Sequence, residues 1–335
     1  MPAVYFLKQW ELPEYYFGRV GVTELSFADP DSAFSLKIRQ KPGSPMMGFS
    51  MSGKTQRDFP EVDEIGKFID AFERGDFDAY CWHDLSEGLR QICEEADDEI
   101  RTKAMRVISL WRWRDKAAGP VEIIDKPSVS PELYWRLETS GKYQGVPRPE
   151  GIFACIDRNA SRGFDPRTIE TEAFNKLWAE AKCGEPLGHQ MLREALQISH
   201  HSPNAALLIS YSALEVGLKQ HLSTQIPGAE WILKEAPTPP VPKIFKHYLP
   251  EVHGCQGVFK IAGERLRLWK TLEEFTKARN ALAHRGTTDE VKLVIYLQLT
   301  QNLLYLLDWL AGHTWAEDNF SPEFRNAFCP KNSPP

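Results

Sequence analysis

The sequence predicts two halves of different structural class, an α+β domain followed by an all-α helical bundle. Two observations support this prediction. Short runs rich in β-branched and aromatic residues alternate with turn residues in the first half, whereas only helical spacing is found in the second. A Gly-, Pro- and charge-rich stretch from 141 to 167 separates the two patterns. We therefore predict domains at 1–165 and 166–315, followed by a loosely packed tail at 316–335.

The first half is predicted to open with a short antiparallel sheet and to continue into helices. The predicted strands are Val4–Lys8, Tyr15–Phe27 and Phe34–Arg39, and the predicted helices are 60–75 and 83–103. A hairpin is predicted where Arg106–Arg114 and Val121–Ile124 flank a turn at 117–120. Trp111 and Trp113 alternate with arginines there, a pattern that suits base stacking but is more typical of core residues.

The second half carries five helical runs and little else. They are Glu170–Lys182, Leu187–Ser199, Pro203–Thr224, Glu264–Ala283 and Asp289–Ala311. Ser202 and Pro203 form a coherent start signal, with a capping residue before proline at the first helical position. The last helix is apolar on nearly all sides and must be surrounded, so we expect a second copy of the chain to cover one side.

Composition excludes several classes of protein. Six cysteines lie scattered without a CxxC pair, which argues against zinc ribbons and disulfide scaffolds and favours reduced thiols in the cytoplasm. No export signal and no apolar run of about 18 residues is present, so we expect no membrane span. A net charge of −6 argues against a broad nucleic-acid groove but permits a local basic patch.

Residues Gly48–Thr55 match the letters of a phosphate-binding loop, GxxxxGK[ST]. The context does not fit, because a Pro- and Gly-rich segment replaces the required buried strand and Pro60 interrupts the required helix. A turn of a β-hairpin is the preferred interpretation, and a nucleotide-dependent enzyme that uses Lys54 is the minor alternative.

The histidines give no metal-ligand spacing. We interpret His200 and His201 as surface residues at a helix junction, and His189, His221, His247 and His253 as lacking Cys or carboxylate partners at suitable intervals. The Cys81-Trp82-His83 run is equally weak. We therefore expect neither a metal nor another cofactor.

An arginine occupies a position where the helical pattern requires an apolar residue. Leu268, Leu272, Phe275, Arg279 and Leu282 repeat at intervals of four and three, the spacing of an inward face. A guanidinium on such a face needs a carboxylate or a phosphate as partner. Glu215 lies on an equivalent apolar seam upstream, which predicts a hydrogen-bonded ion pair between Glu215 and Arg279.

Asn280 and His284 are one helical turn apart and share a second face of the same helix. Gly286 and Thr287 supply the expected stop signal. Basic residues surround this segment, and we select Lys270, Lys277 and Arg285 as candidates for RNA contact.

The apolar helix that carries Glu215, followed by Arg279-Asn280-Ala281-Leu282-Ala283-His284, resembles the HEPN family over about residues 187–311. The resemblance implies a bundle of four to five helices. Many members of the family are metal-independent ribonucleases with the motif Arg-Asn-x3-His, and Arg279, Asn280 and His284 match it position for position.

The resemblance also implies a mechanism and a partner. Family enzymes dimerise so that two motifs form one site, where a ribose 2′-hydroxyl attacks the neighbouring phosphate. We therefore expect a cytoplasmic, homodimeric endoribonuclease, with a role as a toxin or phage-defence effector and a front domain that senses a signal or selects RNA. The neutralising or triggering partner is unknown. The rival expectation is a non-catalytic HEPN adaptor or ligand-sensing protein in which Glu215 and Arg279 are structural.

Overall fold

The computed structural model describes most of the chain in two compact units, Met1–Gly184 and Glu185–Pro335. The described residues are 3–12, 24–40, 49–76, 79–116, 133–138, 143–147, 174–179, 184–226, 228, 239–254, 264–286 and 292–328. An antiparallel sheet with helices forms the first unit and helices form the second, which confirms an α+β half followed by a helical half. Residue 165, the predicted boundary, lies outside the described residues, and the first unit extends beyond it to Gly184.

The first unit is built around a six-stranded antiparallel sheet in the order β2-β3-β4-β1-β5-β6. Its strands are β1 (Ala3–Leu12), β2 (Glu24–Ala28), β3 (Ser35–Gln40), β4 (Phe49–Asp58), β5 (Tyr134–Leu137) and β6 (Gln144–Gly145). The first unit also contains helices α1 (Val62–Glu73) and α2 (Glu87–Asp115) and a helical segment at 174–179. Of the predicted strands, the first and third are confirmed; in the second, 24–27 form part of β2 and 15–23 lie outside the described residues.

Helix α2 packs closely against the sheet. Ser86 caps it, because the Ser86 hydroxyl accepts a hydrogen bond from the Leu89 amide at 3.2 Å. Gly53 of β4 permits the close approach, since a Cβ atom there would lie 2.6 Å from Cγ2 of Ile100. The interface also holds charge, including a 2.7 Å ion pair between the buried Lys8 and Asp97. The sheet and α2 thus share one core.

The predicted hairpin at 106–114 is wrong, because these residues are the final turns of the 29-residue helix α2. Residues 107–113 are all buried, including the polar Ser109 and Arg112, so this part of the helix has no solvent-exposed face to reveal its period. Trp111 and Trp113 are each 3% exposed, which confirms their core interpretation and excludes base stacking by them.

Residues 49–55 of the GxxxxGKT run lie within strand β4, where Gly53 pairs with Lys8 of β1. The predicted hairpin turn is therefore wrong at these positions. An extended ladder strand directs its amides to neighbouring strands, so it cannot form the curved cradle that a nucleotide phosphate requires. Gly48 itself lies outside the described residues.

The second unit contains the four helices that the spacing predicted there, together with shorter helical segments that it did not predict. In chain order they are α3 (Leu187–Ile198), α4 (Pro203–Gln225), α5 (Val241–Lys243), a π-helical turn (Ile244–Tyr248), α6 (Leu249–Val252), α7 (Glu264–Arg285), α8 (Leu293–Leu310), a 3-10 helix (Thr314–Asn319) and α9 (Pro322–Phe328). The four predicted helices are α3, α4, α7 and α8. Helix α4 starts at Pro203 as predicted, although the Ser202 side chain makes no capping hydrogen bond. The predicted helix 170–182 is helical over the described 174–179, but it belongs to the first unit rather than to the bundle, because Trp178 packs against Phe27 of β2 with ring centroids 4.4 Å apart.

Helices α3 and α4 meet through two glycines. A Cβ atom on Gly188 would lie 2.9 Å from the carbonyl oxygen of Ala213 and 3.1 Å from Cα of Gly217. Leu304 of α8 packs over the same crossing point, since a Cβ atom on either glycine would lie within 3.1 Å of its Cδ2 atom. The two backbones therefore approach closely enough that only glycine fits at the contact.

Helix α8 is surrounded, as its apolar sequence predicts, but single-chain packing supplies the cover. Every residue of α8 from Thr300 to Leu310 except Gln301 is buried within one chain. Val294 and Ile295 near its start remain 77% and 49% exposed. The expectation of a second copy thus depends on these two residues rather than on the whole helix.

The prediction of a loosely packed tail from 316 onward is wrong as far as residue 328. The 3-10 helix and α9 are folded, and Phe324 and Phe328 have no exposed surface. Phe328 packs edge-on against Trp269 of α7, with ring centroids 5.7 Å apart. Aromatic burial of this size outweighs the Pro- and Asn-rich composition that suggested a loose end. Residues 329–335 lie outside the described part.

Candidate functional site

Helices α4 and α7 run side by side in the same direction, and this arrangement brings Arg279 of the Arg-Asn-x3-His residues close to α4. The Tyr211 hydroxyl lies 3.2 Å from the Thr276 hydroxyl, and four residues further along α4, Glu215 meets Arg279. Leu272, Phe275 and Leu282 of α7 are buried, which confirms the predicted inward face. Tyr211 also packs edge-on against Phe275 at 5.1 Å.

Arg279 has three partners around its guanidinium. Nη2 lies 3.5 Å from Oε2 of Glu215, which is an ion pair at the long end of the range. Nη1 donates a 3.0 Å hydrogen bond to Oδ1 of Asn280. The ring centroid of Tyr211 lies 5.2 Å from the guanidinium carbon. These contacts fix the side chain while leaving 19% of its surface exposed.

Burial disfavours charge around this pair. It raises the pKa of Glu215, and the neighbouring Arg279 and Lys219 only partly oppose that rise. Burial also raises the pKa of the Tyr211 phenol, so this hydroxyl stays protonated at neutral pH. The second carboxylate oxygen of Glu215, Oε1, is buried and accepts no hydrogen bond from the described residues. The carboxylate is therefore incompletely solvated.

Asn280 and His284 are exposed on the last two turns of α7. The selected basic residues Lys270, Lys277 and Arg285 are exposed as well. Gly286 has a φ of 71°, and its amide donates to the Leu282 carbonyl at 3.0 Å, which confirms the predicted helix stop. Thr287, the second residue of that signal, lies outside the described residues.

Two acidic residues of α7 form ion pairs with lysines outside this helix. Glu273 pairs with Lys246, whose hydrogen bond and charge lower the pKa of that carboxyl, and Glu274 lies 3.2 Å from Lys292. These pairs offset the acidic residues that dilute the basic segment in the sequence. Glu273 and Glu274 therefore neutralise less of the positive charge of Lys270, Lys277 and Arg285.

Sequence spacing missed a histidine cluster elsewhere in the second unit. Nε2 of His221 lies 2.8 Å from Nε2 of His253, and Nε2 of His189 lies 2.8 Å from Oδ2 of Asp308. Burial, assisted by the neighbouring His253, lowers the pKa of His221 to about 4. These residues come from four separate segments, so no local motif could have indicated them.

One group in the first unit combines metal-ligating side chains. Cys81, His83 and Asp84 each offer a ligand atom within 4.8 Å of the others, and no further group of three such residues occurs in the described part of the chain. The Cys81-Trp82-His83 run is a weak signal in the sequence, because two ligand types alone do not define a site. Asp84 adds the third.

Comparisons of this chain with protein-family models, with curated proteins and with solved structures gave no match. Within the described residues, no helix is both long enough and apolar enough to cross a membrane.

Proposed function

We propose that this chain is a metal-independent endoribonuclease of the HEPN type, with Arg279, Asn280 and His284 as its reactive residues. The proposal depends most on one observation, an arginine held on a packed seam beside an exposed asparagine and histidine on the same helix end. It retains the expectation that two copies of the chain combine their motifs in one site.

The reaction is a transesterification within the RNA strand. A ribose 2′-hydroxyl attacks the adjacent phosphorus, the bond to the 5′-oxygen breaks, and the products carry a 2′,3′-cyclic phosphate and a 5′-hydroxyl. His284 removes the proton from the attacking hydroxyl or supplies one to the leaving oxygen, since imidazole is the side chain suited to both tasks near neutral pH.

Arg279 acts on the charge that develops on the phosphate oxygens. Its contacts with Glu215, Tyr211 and Asn280 restrict the guanidinium before substrate binds, so little reorganisation is needed in the transition state. A guanidinium carries five N–H donors, and only one of them is used by Asn280. Asn280 in turn orients either the guanidinium or a phosphate oxygen.

Exposed cations on the same helix provide the attraction for an RNA strand. Lys277 and Arg285 flank the reactive residues, and Lys270 lies nearer the start of α7. The carboxyl end of a helix carries partial negative charge, which by itself repels phosphate. Cationic side chains are therefore a requirement of the proposal, and binding should weaken as salt increases.

The dimer is proposed to form through exposed apolar residues of the second unit. Val294 and Ile295 at the start of α8 are the best candidates, because they are adjacent apolar residues with large exposed fractions. Sedimentation analysis of Val294→Asp beside the parent chain tests this assignment, and an unchanged mass would contradict it.

A second candidate, a non-catalytic adaptor or ligand-sensing protein, is favoured by the Glu215–Arg279 contact itself. An ion pair that closes a helix seam needs no substrate to explain the arginine. The adaptor accounts for Asn280, which accepts a hydrogen bond from Arg279, but it does not explain the exposed His284 one turn further along the same helix.

Incubation of the purified chain with total RNA in EDTA separates the two candidates. An endoribonuclease cleaves the RNA, and His284→Ala abolishes cleavage while the chain stays folded. His201→Ala serves as the matched control, because His201 is an exposed histidine of the same unit. Absence of cleavage by the parent chain, or full cleavage by His284→Ala, would reject the proposal.

The proposed cellular role is that of a toxin or phage-defence effector whose partner neutralises or triggers the nuclease. Expression of the parent chain should then slow growth, whereas His284→Ala should not. Equal growth of the two cultures, when both proteins accumulate, would count against this role.

A further inference from the structure

A short turn between α1 and α2 brings together three side chains of different ligand chemistry. Residues Trp82–Asp84 form a 3-10 helix with Cys81 as the preceding residue. Cys81 offers a sulfur, His83 an imidazole nitrogen and Asp84 a carboxylate oxygen, all within 4.8 Å of one another. Nε2 of His83 lies 3.5 Å from Oδ1 of Asp84.

These separations are close to those that a single metal ion requires. With zinc bonds of about 2.0–2.3 Å, the ligand atoms of a tetrahedral site lie roughly 3.3–3.7 Å apart. The His83–Asp84 distance of 3.5 Å already falls within that range. The Cys81 sulfur must move by no more than about 1 Å to reach this spacing from the His83 and Asp84 ligand atoms. Rotation of the side chain can provide such a shift.

Both ends of the turn are anchored in the first unit. Tyr80 before it and Leu85 after it are 0% and 2% exposed. Ser86 is held by Glu64, whose two carboxylate oxygens accept 2.7 Å hydrogen bonds from the Ser86 amide and hydroxyl. Because the backbone is fixed on both sides of the turn, metal binding restricts few additional rotatable bonds, and its entropy cost is small.

The exposure of the three side chains suits an accessible site. His83 and Asp84 are 79% and 46% exposed, whereas Cys81 is half-buried at the base of the turn. A metal ion can therefore enter from solvent, and a water molecule can complete its coordination. Cys93 differs from Cys81, because burial raises the pKa of the Cys93 thiol and so makes its thiolate hard to form.

The donor set selects the kind of metal. Thiolate and imidazole are ligands for zinc and similar transition-metal dications, whereas magnesium and calcium prefer oxygen alone. Three protein ligands with one open position are typical of sites where the bound metal stays accessible. We propose that Cys81, His83 and Asp84 form a binding site for one zinc-like dication per chain.

This site is separate from the proposed ribonuclease chemistry, which needs no metal and uses α7 residues of the other unit. Binding converts the Cys81 thiol to a metal-bound thiolate, and the thiol proton passes to solvent. Metal affinity should therefore fall as pH is lowered.

Cobalt titration of the full-length chain under reducing conditions tests the proposal. We expect a thiolate-to-cobalt charge-transfer band that saturates at one equivalent and that added zinc displaces. Cys81→Ser should remove the band. His83→Gln and Asp84→Asn should each weaken binding by at least about tenfold, the loss typical of removing even an outer-sphere partner.

The controls use positions away from the turn. Cys93→Ala and His201→Gln should leave the band and its midpoint unchanged, and circular dichroism checks that each variant is folded. The proposal fails if the parent chain shows no such band, if the band persists in Cys81→Ser, or if both His83→Gln and Asp84→Asn bind as tightly as the parent.

Discussion

Nη2 of Arg279 lies 3.5 Å from Oε2 of Glu215, and the two side chains are only 19% and 13% exposed. Burial raises the pKa of Glu215 even with the arginine beside it. The ionised carboxylate is therefore less stable here than in water, and its attraction to Arg279 does not fully offset desolvation. The pair positions the guanidinium more than it stabilises the fold.

The raised pKa of Glu215 predicts an asymmetric response to substitution. Glu215→Gln removes the poorly solvated charge and should change the free energy of unfolding by less than about 1 kcal/mol. Arg279→Gln leaves the carboxylate buried without its cation and should cost about 1–3 kcal/mol. Urea denaturation of both variants measures the difference. Equal losses would show that the pair contributes symmetrically.

The raised pKa of Glu215 also sets the direction in which the free energy of unfolding changes with pH. A carboxyl whose folded-state pKa is raised binds its proton more readily when folded, so its stabilising contribution is lost as pH rises through that pKa. Glu215→Gln should therefore be less sensitive than the parent to pH above the ordinary glutamate range. If the free energy of unfolding of Glu215→Gln changes with pH as steeply as that of the parent, the raised pKa of Glu215 is contradicted.

Catalysis should depend on His284 far more strongly than stability does. Loss of a general acid or base lowers a rate by about 10²–10⁴-fold, so His284→Ala should reduce RNA cleavage by that factor. Because His284 is exposed, the melting temperature should stay close to that of the parent. Asn280→Ala should reduce cleavage as well. A variant with unaltered cleavage would remove that residue from the site.

The buried His221 predicts a loss of stability in mild acid. Its folded-state pKa of about 4 is below the ordinary value of 6.5, so the unfolded chain takes up the proton first as pH falls. The contribution is complete above pH 6.5 and is lost between there and about pH 4, at a cost of about 3 kcal/mol.

Substitution isolates this contribution of His221. Asn at position 221 cannot titrate, so stability curves for His221→Asn should be flatter between those pH values than the parent curve. His201→Asn, at an exposed position, should reproduce the parent slope. If His221→Asn retains that slope, another group causes the acid sensitivity.

The glycine contact between α3 and α4 predicts a steric penalty. Gly188→Ala places a Cβ atom 2.9 Å from the Ala213 carbonyl oxygen, and backbone cannot move aside as a side chain can. We expect a loss of about 1–3 kcal/mol in the free energy of unfolding. Gly66→Ala in α1 meets nothing within 4 Å and should stabilise by about 0.5–1 kcal/mol. Similar effects in the two variants would contradict the close contact.

Local signals in the sequence determined much of the second unit. Pro203 fixes the start of α4 because its φ suits the first helical position, and Gly286 ends α7 with a positive φ. The four-and-three spacing of Leu272, Phe275 and Leu282 marked the buried face correctly. These features depend on backbone preference and helical period, which are properties of neighbouring residues.

Tertiary packing decided what those local signals could not. Residues 107–113 have no exposed face because this part of α2 is covered on all sides, and the spacing of Trp111 and Trp113 gave the alternation typical of a strand. The tail up to Phe328 is ordered by contact with Trp269, a residue far away in sequence.

At the candidate site, too, local sequence decided some features and tertiary packing decided others. The sequence by itself determined that Arg279, Asn280 and His284 share one helix end and that Arg279 needs a carboxylate or a phosphate as partner. Only the tertiary structure brought Glu215 to 3.5 Å, placed the Tyr211 ring beside the guanidinium and gathered His221 with His253. The physical reason is that helical spacing is set along the chain, whereas partner distances and burial arise from elements that meet only when the chain folds.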